Sequence, residues 1–145
     1  MKKNIKSVIA VAAALLLLAI IGFIYIFRKP DRNATNMNPA FSGDAMIFYN
    51  KYDNNENLGN RIYLGKPIEI SGTIIDISEL DNGDLTVVLG EEMEMGGVSC
   101  TFKKSSLSAE TKAKIELEKK IKAKGFCSGL LMEVVLVDCV IMDEK

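Results

Sequence analysis

The sequence predicts a mainly β protein: a five-stranded Greek-key barrel with a helix between strands three and four, preceded by short N-terminal helices and one long hydrophobic helix. Three observations carry this. The 21 residues from Ser7 to Phe27 hold no charge. From Ile68 onward apolar residues recur at every second position, the period of a half-buried strand. One stretch between two such groups, Ser108–Glu118, begins with a residue suited to start a helix.

The hydrophobic helix is read as a transmembrane signal anchor over residues 7–27. Residues 1–6 form a basic tail with Lys2, Lys3 and Lys6, and Arg28, Lys29 and Arg32 follow the apolar run. Twenty-one residues at about 1.5 Å rise give about 31 Å, which matches a hydrocarbon core of about 30 Å. A cleaved signal has about 7–15 apolar residues and then small ones. Here the run is longer and ends in Gly22-Phe23-Ile24-Tyr25-Ile26-Phe27. A lipid-modified Cys would directly follow the run, and the first Cys is residue 100. Three Lys/Arg on each side leave orientation open by charge alone. The short tail favours a cytoplasmic N-terminus, so the expectation is a single-pass cell-membrane protein whose C-terminal domain is extracytoplasmic, in the periplasm.

Residues 28–43 are polar and read as a linker, in which Asn33-Ala34-Thr35 fits a glycosylation sequon that is better taken as linker sequence. Residues 44–145 form the folded domain. From Asn33 onward 12 Lys/Arg stand against 18 Asp/Glu, a net charge of −6. That balance argues against a phosphate-backbone ligand, which calls for a basic face. The 145-residue chain has no His, which removes the commonest general base and any Cys/His zinc site.

Ala45–Tyr52 suggests a short amphipathic helix capped by Ser42 or Asp44, and Leu58 and Ile62 suggest a weaker helical turn. Ile68, Ile70, Gly72 and Ile74 alternate with polar residues before the phase slips at Ile75. Such a slip beside a strand glycine predicts a bulge or bend, as a first strand serving both halves of a barrel needs. Asp81-Asn82-Gly83-Asp84 predicts a type I′ hairpin turn. Leu85, Val87 and Leu89 form the second strand, and Val98, Cys100 and Phe102 the inner side of the third. Ser108 caps a helix with an apolar stripe of Ala113, Leu117 and Ile121. The fourth strand sets Ile121, Ala123, Gly125 and Cys127 inward against Lys120, Lys122 and Lys124. The last, Glu133–Met142, is expected to point Val135, Val137, Cys139 and Ile141 inward.

Three strands, a helix and two strands is the order of an OB-fold. The chain resembles the tRNA_anti-like OB-fold domains of bacterial membrane proteins and lipoproteins. The likeness rests on Tyr63-Leu64-Gly65-Lys66, Ile70-Ser71-Gly72-Thr73-Ile74, Val98-Ser99-Cys100-Thr101-Phe102, Lys124-Gly125-Phe126-Cys127-Ser128-Gly129 and Val134-Val135-Leu136-Val137-Asp138-Cys139. It implies a fold and a membrane setting, with no catalytic residue to carry over.

Nucleic-acid OB folds place aromatic platforms on strands two and three, and here the only aromatic is Phe102, on the core phase. Lys103, Lys104, Lys120, Lys122 and Lys124 make a candidate basic surface stripe, or simply a solvated face. The acids Asp81, Asp84, Glu91, Glu92 and Glu94 lack the spacing of a calcium loop, and Met93 and Met95 are better placed on a strand face than as copper ligands. Strand three neighbours strand five in an OB barrel, so Cys100 and Cys139 are either a disulfide or adjacent core thiols. No cofactor or metal is expected. The expectation is a membrane-anchored, non-catalytic binding module for a protein, peptide or cell-envelope component. The alternative is single-stranded nucleic acid or oligosaccharide in the OB groove.

Overall fold

The elements run α1 (Lys2–Phe27), β1 (Phe41–Asp44), α2 (Ala45–Asn54), α3 (Glu56–Tyr63), β2 (Pro67–Glu79), β3 (Leu85–Gly90), β4 (Val98–Phe102), α4 (Ala109–Lys114), β5 (Lys120–Leu130) and β6 (Val134–Ile141). This computed structural model describes residues 2–27 and 32–143, and within α1 the side chains of 11–24. The chain separates into two units, Met1–Asp31 and Arg32–Lys145.

β2 makes the barrel close. Its first half pairs antiparallel with β5, from Pro67↔Phe126 to Thr73↔Lys120. Its second half pairs antiparallel with β3, from Thr73↔Gly90 to Glu79↔Leu85. The exchange happens at the expected bulge: Ile74 faces Leu89, Asp76 faces Val88, and Ile75 is left over. At the bend the Ile74 N–H donates to Lys119 O at 2.9 Å, and Ile74 O accepts from the Glu118 N–H at 2.9 Å. Gly72 lets the chains approach closely beside it: a Cβ there would lie 3.0 Å from Ala45 Cβ and 3.1 Å from Leu89 Cβ, so a neighbour would have to shift by a few tenths of an ångström. With β3–β4 antiparallel, β4–β6 parallel over Val98–Cys100 and β5–β6 antiparallel, five strands close as β2-β3-β4-β6-β5. This is OB connectivity.

The interior takes the expected phases of β2, β3 and β4: Ile68, Ile70, Ile74, Val87, Leu89, Val98, Cys100 and Phe102 are all at most 1% exposed. α2 lies over one end of it. Asp44 accepts from the Met46 N–H at 2.8 Å and starts the helix. Phe48 and Tyr52 then pack with Phe41 and Tyr63, with ring centroids 4.8–6.3 Å apart. Burying each such ring contributes roughly 1.5–3 kcal/mol.

Five details differ from the sequence expectation. β1 begins inside the segment read as linker, with Phe41, Ser42 and Gly43, and pairs parallel with Ile68–Ser71, and Ala34 in the same segment is fully buried. The 80–84 turn is not type I′, because only Gly83 has positive φ (+82°). Gly83 N–H donates to Leu80 O and Leu80 N–H to Asp84 O, a type I turn with a glycine bulge. α4 has six residues, and Ala113 and Leu117 are exposed. The apolar stripe is absent because Glu118, at φ +66°, turns the chain back towards Ile74. Ser99, expected on the outside, is only 7% exposed. In β6 the buried residues are Val134, Leu136 and Cys139, whereas Val135 and Val137 are half-buried. Asp138, at φ +53°, causes this. Lys124 faces Val140 and Phe126 faces Val137, so two residues of β6 oppose Gly125 alone and the phase inverts.

α1 is a continuous helix whose leucines, such as Leu15, Leu16 and Leu18, are exposed. Ser7 and Phe27, the expected ends of the anchor, lie in it, but their side chains fall outside those described, and Arg28 and Lys29 lie outside the described residues. Among the described residues, no helix is long and apolar enough to cross a membrane.

Candidate functional site

OB domains use the outer side of their second and third strands, flanked by the loops after strands one and four. Here those strands are β3 and β4, and the loops are 80–84 and 131–133. Register builds two cross-strand rows. Asp76 faces Val88, Val88 faces Ser99, and Ser99 faces Val135. Ser78 faces Thr86, and Thr86 faces Thr101, their hydroxyls 3.5 Å apart. Val88 and Ser99 stand outside the core cluster but are each only 7% exposed, so the Ser78–Thr86–Thr101 row is the one that solvent reaches. The rows hold small aliphatics, hydroxyls and one acid, with no ring on which a base could stack, because Phe102 is 1% exposed in the core.

Acid also marks one end. Burial, reinforced by the Asp76 carboxylate, raises the pKa of Glu133 above the usual carboxylate range. Beside Glu133, Leu131 and Met132 are 84% and 87% exposed. An acidic groove of about 430 Å³ lies at the β2 bend, lined by Ile74, Ile75, Glu91, Glu92 and Glu118 among others.

The five lysines of the candidate stripe fall into three settings. Lys103 Nζ lies 3.0 Å from Asp138 Oδ1, while the Lys104 N–H donates to Asp84 Oδ1 at 2.9 Å, which ties it to the 80–84 loop. Lys124 is 4% exposed. Its ammonium donates to Thr35 O at 3.3 Å and lies 3.9 Å from Glu69 Oε2. The arm covering it also places the Arg32 guanidinium 4.8 Å above the Phe126 ring. Lys122 pairs with Glu69 at 2.8 Å. Together with Lys120 it lines a cleft of about 300 Å³ between α4, the start of β5 and the end of β6. Lys114 and Lys119 join them there, both missed in the sequence because only the turn at Glu118 brings them together.

Cys100, Cys127 and Cys139 are free and buried. Cys139 is hydrogen-bonded to Cys100, and burial pushes its thiol well above the ordinary range. Among the described residues no three His, Cys, Asp or Glu side chains gather as a metal site.

The tRNA_anti-like family model matches residues 1–141. The chain belongs to the tRNA_anti-like family. Among solved structures, this tRNA_anti-like protein is similar to a "putative nucleic acid-binding lipoprotein" from Klebsiella pneumoniae subsp. pneumoniae MGH 78578. That match has a TM-score of 0.59 at 16% identity, covering 72% of this chain and 93% of that one. An OBody bound to hen egg-white lysozyme gives a TM-score of 0.39 at 12% identity, covering 57% and 80%. Asparaginyl-tRNA synthetase from Pyrococcus horikoshii gives 0.40 at 14% identity, covering 57% of this chain and 20% of the synthetase. No curated protein matches the chain.

Proposed function

We propose that this protein is a membrane-anchored, non-catalytic OB module that holds a protein, peptide or cell-envelope ligand on the outer face of β3 and β4. One observation carries the reading: the solvent-reached Ser78–Thr86–Thr101 row, with exposed Asp76 beside it, offers hydrogen bonds but neither a stacking ring nor a cation. A polypeptide or another polar, uncharged or cationic ligand suits that surface better than a polyanion does. The absence of His from the sequence rules out a His-activated nucleophile, and burial of all three thiols keeps them from a substrate. Anchoring is supported by the uncharged sequence stretch Ser7–Phe27, and an extracytoplasmic position of the domain is part of the same proposal.

The test is photocrosslinking from Ser78 and Thr86 in the membrane-bound full chain. One discrete partner, lost when half-buried Thr101 is changed to Arg, is the expected result. Retention of sodium-carbonate-washed protein in the membrane pellet tests the anchor.

Single-stranded nucleic acid or oligosaccharide is the second reading. The lysine-lined cleft and the description of the Klebsiella protein as nucleic acid-binding favour it. Titrating labelled single-stranded RNA and DNA at low salt separates the two readings. Micromolar affinity that falls steeply with salt would replace the first reading with the second.

A further inference from the structure

We infer that the cleft between α4, β5 and β6 binds a multiply charged phosphate group carried on a partly apolar stem. This site is separate from the β3–β4 face, so the inference stands or falls independently of the function proposed above. The first ground is charge. A domain of net charge −6 gathers four of its 12 Lys/Arg around one space of about 300 Å³, with Asp143 the only acid in its lining among the described residues. Lys119, Lys120 and Lys122 are near neighbours in sequence, and the fold adds Lys114 to them.

The second ground is the kind of cation. Ammonium groups act as compact point charges with rotatable donors, which suits tetrahedral phosphate oxygens. Three of the four already hold carboxylates: Lys114 with Asp143 at 2.5 Å, Lys119 with Glu116 at 2.6 Å and Lys122 with Glu69 at 2.8 Å. Exposed pairs such as the first two contribute little, so a dianion able to engage several ammoniums at once displaces them. Lys120 has no ion pair among the described residues.

The third ground is the floor. Ile121, Ile141 and Met142 line the same cleft, and Ile121 is 8% exposed. They give an apolar stem somewhere to lie. The volume is at the small end of ligand pockets, and the lining contains no aromatic ring, so a compact phosphate compound fits better than a strand of stacked bases.

The test uses the ¹⁵N-labelled full chain in maltoside micelles, titrated with inorganic pyrophosphate or with phosphatidic acid doped into the micelles, and phosphatidylcholine as the blank. The expected result is saturable amide shifts at Ile121, Lys122 and Ile141. They should be about tenfold weaker in Lys119→Glu/Lys120→Glu and unchanged in Lys51→Glu/Lys66→Glu, which carries the same charge change elsewhere. Lys119→Gln/Lys120→Gln repeats the test without introducing acids. Response to pyrophosphate supports a free phosphate compound as the source, and response to phosphatidic acid alone supports a lipid headgroup. Equal responses in cleft and control variants, or no response to either probe, overturn the inference.

Discussion

The Tyr52 hydroxyl and the Cys127 sulfur meet at 3.0 Å inside the core, joining α2 to β5 across 75 residues of sequence. Burial, first of all, drives the Tyr52 phenol far above its ordinary range and raises the Cys127 thiol, so both stay neutral. The thiol is a weak partner, and Tyr52→Phe is expected to cost about 0.5–1.5 kcal/mol. Gly59→Ala is expected to cost more, about 1–3 kcal/mol. Its Cβ would fall 2.7 Å from Tyr52 Cδ1, and the ring is hemmed in by Phe48 and Tyr63. Urea unfolding of both variants checks the order, and a Gly59→Ala protein as stable as the parent would refute this packing.

Glu69 joins three segments. It accepts from Ser42 Oγ at 3.0 Å, pairs with Lys122 at 2.8 Å and approaches buried Lys124 at 3.9 Å. The Lys122 hydrogen bond, more than any other contact, holds its carboxyl below the usual glutamate range. A lowered folded pKa means the stabilisation is present above the unfolded value, about 4.3, and is lost as pH falls through the folded one. Glu69→Gln is therefore expected to cost about 2 kcal/mol at pH 7. In unfolding curves recorded from pH 7 down to pH 3, the gap between parent and variant should close. A gap independent of pH would show that the charge plays no part.

Cys100 and Cys139 are 0% and 1% exposed, and thiolate is the reactive form. Alkylation at pH 8 should therefore proceed at the rate of global unfolding, and urea should accelerate it by orders of magnitude. Mass spectrometry after non-reducing unfolding also separates the two states left open by the sequence. Adjacent thiols take up label at both positions, whereas a disulfide takes up none and leaves the protein about two daltons lighter.

How much of this could be read from the sequence depends on how local the cause is. Ile68, Ile70 and Ile74 give the core face of β2 because strand alternation is a local property. The slip at Ile75 gives the bulge because one extra apolar residue betrays it. Asp138 gives no such signal. An aspartate in the left-handed region looks like any other polar residue in a strand, yet it inverts the face of Val134–Val137. β1 has a single large apolar residue, Phe41, and exists through its pairing with β2. Lys124 sits on an outward phase and is buried only because residues 32–35 lie across it. The cleft was half legible: Lys120 and Lys122 follow from alternation, while Lys114 and Lys119 arrive by a turn at Glu118 that no glycine announces.

The bulge at Asp138 makes a prediction of its own. Asparagine tolerates the left-handed region about as well as aspartate, whereas a β-branched residue does not. Asp138→Asn should lose only the ion pair with Lys103, which is partly exposed on the lysine side, at about 0.5 kcal/mol. Asp138→Val should cost a further 1–3 kcal/mol, roughly the strain of that backbone region. Thermal melts of the two variants compare them directly, and equal melting temperatures would show that the bulge relaxes without strain.

Glu133 runs against the usual carboxylate pattern. Its folded pKa is raised, by burial first and by the Asp76 carboxylate second. For a raised group, stability is fully present below the unfolded value and falls as pH rises through the folded one. At neutral pH the ionised side chain therefore strains the face on which the ligand is proposed to sit. Glu133→Gln should raise the melting temperature by a few degrees at pH 7, for a gain of about 1 kcal/mol or less. That advantage should vanish near pH 4, where both proteins are neutral at this position. If the acid pair is kept for a cationic group on the partner, the stabler Glu133→Gln protein should also lose the crosslinked product from Ser78. A variant that gains stability and still captures the partner would leave Glu133 no role in recognition.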